Sequence, residues 1–469
     1  MGPQRHHGAM GRVADMVTVA TAGTDSRDST PRNRLNGPVA HTAFVVQNVP
    51  MRLRRSSILL ALLIAAACDR NKGTVSEAEL SQPRSAAAKN AVVLIDSPAT
   101  AAAAEPFLFA ARDGSLIMSW LEHEASSKNA ALKLARFSNN RWTEPVTVVE
   151  RDDLFVNWAD FPSVVEARDG TLFAHWLQKS GSATYAYDVM LARSKDGGKT
   201  WSIPAKLHDD KTKTEHGFVS LVPHPYEAAV AAVWLDGRNM SERAGHGDHG
   251  DMSVRYAIVS SDGHIEPSAE LDGRTCECCT TTMAWTEEGP IVAYRDRSPD
   301  EIRDIAIVRK TQKGWTAPQT LHQDGWKIAG CPVNGPQIDA RGHHVAVAWF
   351  TAAGDKAHVL AAFSDNAGAT FSAPTRIDAG APTGRVDLVL LDDGGAFITW
   401  IDGAGNDAAI VARRVAFDGK MGPVVTVARS STARSAGFPR AALVGHNAVY
   451  VAWTEFTPAK RVRLARVAF

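Results

Sequence analysis

The sequence predicts an all-β protein folded as a β-propeller of four-stranded blades, seven rather than six, and three observations carry that expectation. A short alternating apolar strand ending in an aromatic residue and then a polar one recurs at Trp120, Trp176, Trp234, Tyr294, Trp349, Trp400 and Trp453, at intervals of 51 to 60 residues. Around each copy lie a shorter strand before it, as in VVEARDG over 164–170, a third strand after it, as in LKLARFS over 132–138, and a fourth beyond a turn. The chain stops after the third strand of the last copy, at Phe469, whereas an unmatched strand, AVVLID over 91–96, precedes the first. A four-stranded meander cannot bury both its faces, so the copies must pack on one another, and radial packing leaves only short protected edges. The N-terminal strand then completes the seventh blade and closes the ring. The repeated aromatics read as residues packed between blades.

Composition narrows the function. With 469 residues, 45% of them hydrophobic, the chain can bury a large core, and it carries 51 basic and 51 acidic side chains. A neutral balance without long Lys/Arg runs argues against a nucleic-acid partner held by phosphate neutralisation. From Met51 the chain reads as an export signal: Arg52, Arg54 and Arg55, then ten apolar residues from Ile58 to Ala67, too few to span a bilayer. The ending Ile64-Ala65-Ala66-Ala67-Cys68 resembles a bacterial lipobox. That resemblance implies cleavage before Cys68, lipidation of its thiol and residence in the cell envelope, anchored to a membrane. A plain secretory signal is the alternative. Residues 1–50 read as an upstream over-extension, 51–67 as the signal, 68–90 as a linker and 91–469 as the propeller.

Two turns between third and fourth strands are specific. Ser194-Lys195-Asp196-Gly197-Gly198-Lys199-Thr200-Trp201 reads S-x-D-x-G-x-T-W, and Ser364, Asn366, Gly368, Thr370 and Phe371 repeat it with Asn and Phe substituted. Such a turn is a folding device: the hydroxyl and carboxylate satisfy turn amides, glycine takes a positive φ, and the aromatic packs between strands. The pattern resembles the Asp-box, or bacterial neuraminidase repeat, of the sialidase superfamily. The resemblance implies a propeller whose ligand site lies on the face opposite these turns.

On that opposite face, the loops entering each innermost strand and those linking second to third strands carry the polar residues. If the resemblance extends to activity, a glycoside hydrolase would need arginines around a sugar carboxylate, an acid, and a tyrosine paired with a glutamate; a tyrosine nucleophile departs from the two-carboxylate scheme. Arg238, Arg295, Arg297 and Arg385 are the candidates for a carboxylate clamp, with His216 beside them, and Asp160 or Asp236 for the acid. On this reading Arg295→Ala weakens binding of an anionic glycan and leaves the fold intact. No Phe-Arg-Ile-Pro segment occurs near the first blade, and the late Tyr450 sits inside a packed strand. Arg295, Asp296 and Arg297 read equally as an ion-pair network at the rim.

Cys276, Cys278, Cys279 and Cys331 all fall in the entry loops of blades four and five, so Cys331 is expected within bonding reach of the other three. In an exported protein they predict two disulfides, one of them stapling two blades. A thiolate site for a soft metal such as Cu(I), with His216 or the His246–Met252 loop, is the alternative. The sequence therefore points to a lipid-anchored propeller that holds a glycan or small anionic ligand in its funnel. A non-catalytic binder and a metal or redox protein are the rivals to a hydrolase.

Overall fold

The computed structural model describes residues 92–123, 126–240, 250–446, 448–455 and 459–469. The signal segment, Cys68, the linker, Glu124 and residues 246–249 of the His/Asp loop lie outside them. The described chain forms seven antiparallel sheets with each meander in sequence order from the axis outward. The innermost strands are Ala103–Ala110, Ser163–Glu166, His216–Pro223, Thr282–Thr286, Gln337–Arg341, Pro382–Leu390 and Arg440–Val444. In the seventh sheet the outermost strand is Val92–Ile95, paired with Arg461–Val467 in the register Val92 to Val467 and Ile95 to Leu464. Ring closure thus follows the sequence expectation, because the last copy lacks a fourth strand of its own. Among the described residues no helix is long and apolar enough to cross a membrane.

The repeated aromatics are buried. Trp120, Trp234, Trp349, Trp400 and Tyr294 are wholly inaccessible, and Trp176 and Trp453 nearly so. The polar residue two positions later has a physical reason: an indole N–H taken from water needs an acceptor. Trp120 donates to Glu122 at 2.8 Å, Trp234 to Asp236 at 2.9 Å and Trp400 to Asp402 at 3.2 Å. In the seventh blade Glu455 is drawn away to Arg461 and Arg463, and the indole nitrogen of Trp453 lacks a partner.

The two matched turns share one geometry. Ser194 Oγ accepts from the Gly198 amide at 2.8 Å while Asp196 accepts from the Thr200 amide at 2.9 Å; Ser364 and Asn366 do the same for Gly368 and Thr370, both at 3.0 Å. Gly368 has a φ of +75°, and a Cβ there would stand 2.2 Å from Ile291 Cδ1 of the preceding blade, so both conformation and packing demand glycine.

A second recurrent device escapes the sequence. The innermost strands of blades one, three and six each carry a bulge whose residue has a left-handed backbone: Glu105 at φ 50°, Phe218 at 52° and Arg385 at 55°. In each case the bulged N–H donates to a side chain of the preceding blade. Glu105 donates to Thr454 Oγ1 at 3.1 Å, Phe218 to Asp160 Oδ1 at 2.7 Å and Arg385 to Asn334 Oδ1 at 2.6 Å. Bulges of this kind re-aim side chains at the rim of a sheet, and here they also latch neighbouring blades at the mouth of the ring.

Candidate functional site at the mouth of the ring

Among the described residues, an axial channel and a cleft open on the face predicted to hold the site. The axial channel, about 150 Å³, is lined by innermost-strand or entry-loop residues of all seven blades, among them Phe107, Asp160, Phe218, Thr281, Asp339, Asp387 and Arg440. Its carboxylates are committed to backbone: Asp339 accepts from the Leu390 amide at 2.8 Å and Asp387 from the Ala441 amide at 2.6 Å. A larger cleft of about 340 Å³ is lined by residues of blades two to five and of blade seven. Its walls are Phe155, Asn157 and Trp158 from one entry loop, Thr184 and Tyr185 from the next loop, then Glu215, Phe218, Cys278, Cys331 and Arg434.

Beneath the cleft, Tyr187 stands between two carboxylates. Its hydroxyl lies 2.7 Å from Glu215 Oε1 and 3.1 Å from Asp160 Oδ2, and all three residues are buried. A phenol has one proton, so the Tyr187 hydroxyl donates to one of the two carboxylates at a time. Burial favours the neutral form of Asp160, pushing it up to about 7 against the lowering effect of the Phe218 amide and Tyr187. Burial first, and then the charge of Glu215, drives the Tyr187 phenol far above its ordinary range. The ring also stacks on Phe155 at 4.1 Å. No motif marked Tyr187 or Glu215. They stand 28 residues apart, and only the docking of blade two on blade three brings them together.

The expected arginine clamp is not assembled. Arg295 is buried, and its guanidinium donates to three carbonyls: Asn334 at 2.8 Å, Arg303 at 2.6 Å and Phe350 at 2.7 Å. Arg385 donates to the Thr432, Ala433 and Gly437 carbonyls and lies 4.6 Å over the Trp158 ring. Burial lowers it to about 10. Arg297 pairs with Glu301 and Glu277, and Arg238 with Asp236 at 2.7 Å and Asp209 at 3.0 Å. None of the four lines the channel or the cleft. Each guanidinium is turned toward a different set of protein acceptors, so in this structure the four do not converge on one point. The rim ion-pair alternative holds for Arg297, whereas Arg295 belongs to the core.

The two candidate acids differ in state. Asp236 is wholly buried; burial pushes its carboxyl up, but hydrogen bonds from His216, Arg238 and Trp234 hold it below the usual carboxylate range. It is an ionised anchor and has no proton to give. His216 is stacked face to face on His208 at 3.7 Å, with Nε2 3.0 Å from Asp210 and 3.6 Å from Asp236. Burial pulls its ring down, yet Asp210 and Asp236 outweigh this and raise it to about 9. Asp188, His208 and His216 bring ligand-type atoms within 4.8 Å of one another, as do Asp210, His216 and Asp236.

The cysteines depart from expectation in one respect and follow it in another. No disulfide joins the four described cysteines, so the expected staple is not formed. They nevertheless gather: Cys276 Sγ lies 3.2 Å from Cys279 and 3.8 Å from Cys278, and Cys331 is hydrogen-bonded to Cys278. The tightest pair is the outer one, which has C-x-x-C spacing. Arg303 Nη1 donates to Cys276 Sγ at 3.2 Å and to Glu277 at 3.0 Å. Burial opposes ionisation, but hydrogen bonds from Cys278 and Cys279 and the Arg303 charge hold the Cys276 thiol well below its ordinary range.

No family model matches the chain, and no curated protein matches it. Among solved structures, it is similar to the BP39L lectin from Burkholderia pseudomallei, with 12% identity over 78% of this chain and 95% of that one and a TM-score of 0.51. A protein of unknown function from Dyadobacter fermentans shares 15% identity over 81% of this chain and 98% of its own, with a TM-score of 0.45. The NanB sialidase from Streptococcus pneumoniae shares 11% over 80% and 70%, with a TM-score of 0.41. At 12% identity the likeness to the lectin is one of fold alone.

Proposed function

We propose that this protein binds a glycan in the larger cleft at the mouth of the ring. The observation that carries the reading is the lining itself. Aromatic faces of Phe155, Trp158, Tyr185 and Phe218 alternate there with the polar ends of Asn157, Thr184, Glu215 and Arg434, a composition suited to the apolar faces and hydroxyl rims of sugars. The lectin among the structural neighbours is consistent with this use of the fold, though the fold alone does not assign it. Binding is favoured over hydrolysis because Tyr187, set between two carboxylates, is sealed from solvent and hard to ionise.

Titration of the full chain against a panel of neutral and acidic oligosaccharides tests the reading. Glu215→Gln removes a charged acceptor and is expected to weaken the best ligand by roughly ten- to a hundredfold, while Tyr185→Ala weakens it without unfolding the ring. Absence of any glycan ligand, or an affinity indifferent to both substitutions, overturns it. We also propose that Cys68 carries a lipid in the cell envelope. Its replacement by serine should move the protein from the membrane to the soluble fraction, whereas a wild type that is already soluble after export, with an unmodified N-terminus, refutes the anchor.

A further inference from the structure

We infer that Cys276, Cys278 and Cys279 form a thiolate site for a thiophilic d10 cation, Cu(I) in the first place, with Cys331 as the outer sulfur through which the ion enters. Three sulfurs from one short turn converge within 4.8 Å of each other, nearly or wholly buried. Sulfurs sharing one cation at about 2.3 Å sit roughly 4 Å apart, and the separations of 3.2 and 3.8 Å from Cys276 need only small rotamer changes to reach that arrangement. A pure sulfur set in a dry pocket selects soft metals over oxygen-loving ones. Three sulfurs around one point suit a trigonal ion. A tetrahedral Zn(II) would require Cys331, the hydrogen-bond partner of Cys278, to come in as a fourth ligand beside the three mutually close sulfurs.

The surroundings are built to support an anionic sulfur cluster. Arg303 donates directly to Cys276 and is itself held by Glu277 and by Glu301 at 2.9 Å, the arrangement by which outer partners orient a ligand and balance its charge. The Arg295 carbonyl accepts from the Cys276 amide at 3.1 Å, while its guanidinium fastens the Asn334 carbonyl of the loop carrying Cys331. Arg295 therefore fixes the two cysteine-bearing loops against each other. Cys278 and Cys331 both line the cleft, so the buried sulfurs have a path to solvent.

The test uses the full chain, reduced and then freed of reductant under anaerobic conditions, titrated with Cu(I) against a chromogenic Cu(I) chelator and, separately, with Zn(II) against a zinc indicator. The expected result is one tightly held Cu(I), an ultraviolet sulfur-to-copper charge-transfer band and an X-ray absorption spectrum with sulfur as the only inner shell. Cys276→Ser and Cys279→Ser should abolish retention. Arg303→Gln should weaken it about 10- to 100-fold, and Cys331→Ser should slow loading while leaving the stoichiometry intact. Far-ultraviolet circular dichroism on each variant separates loss of the site from loss of the fold, and if Cys276→Ser does not fold, Cys279→Ser and Arg303→Gln carry the test. Failure of the reduced wild type to hold Cu(I) against the chelator, retention unchanged in the cysteine variants, or preferential binding of Zn(II) with Cys331 as ligand would each overturn the assignment.

Discussion

Two clusters of metal-ligand residues lie on the same face of the ring, and their difference is one of charge balance. Between blades two and three, His208, His216, Asp188, Asp210 and Asp236 are interleaved with Lys206 and Arg238, so that each carboxylate meets a cation: Lys206 with Asp188 at 2.9 Å, His216 with Asp210 at 3.0 Å, Arg238 with Asp236 at 2.7 Å. Between blades four and five, three sulfurs face one another with a single direct guanidinium contact, from Arg303. Ligand-type atoms within reach of one another are thus common to both, and what separates a self-neutralised ion-pair network from a site that can take an ion is whether the protein already supplies the counter-charge.

The comparison breaks most visibly at Arg295. Replacing it by alanine leaves three buried carbonyls without donors and a cavity behind them, at a cost of about 3 to 5 kcal/mol, which chemical denaturation should register as a lower midpoint. A variant of unchanged stability would return this arginine to the ligand-binding role first expected of it. The histidine cluster comes next. Asp236→Asn keeps the shape but removes the charge facing His216 and Arg238, and should destabilise by about 2 to 4 kcal/mol, whereas Cys279→Ser in the metal-free protein should cost less. Equal losses at the two sites would mean that the sulfurs, too, are a purely structural network.

The smallest effect sharpens the same contrast through pH. A histidine raised by its partners contributes stability that is fully present below its unfolded value of about 6.5 and is lost as the pH rises through about 9. Asp210 and Asp236, held below the ordinary carboxylate range, stay ionised across that window. The wild type should therefore lose stability between neutral and alkaline pH. His216→Gln, less stable at neutral pH, should lose less over the same interval. A parallel decline in both proteins would show that His216 is not the titrating group.

Much of the architecture was legible from the residues because it is built from local, repeated choices. Alternation set the strands, an aromatic residue marked each second strand, and the S-x-D-x-G-x-T-W turn announced its own hydrogen bonds. The cysteine grouping was legible too, since equivalent loops on adjacent blades are neighbours in any closed ring. The surroundings of the arginines were not legible for an equally physical reason: a loop arginine near a funnel looks the same in sequence whether it faces a ligand or a carbonyl.

By itself, then, the sequence determined the all-β class, the number of blades, the closure by Val92–Ile95 and the burial of the repeated tryptophans, because each follows from periodicity or from an unmatched strand. Only the tertiary structure decided who meets whom at the mouth. Arg295 ends on the Phe350 carbonyl 55 residues away, Phe218 on Asp160 58 residues back, and Tyr187 on Glu215 in the next blade. Two of these three contacts have a backbone group as the partner, and every residue carries one, so composition and spacing cannot single it out. Closure of the ring brings such groups within hydrogen-bond distance, and burial then leaves each polar group no choice but the neighbour it finds there.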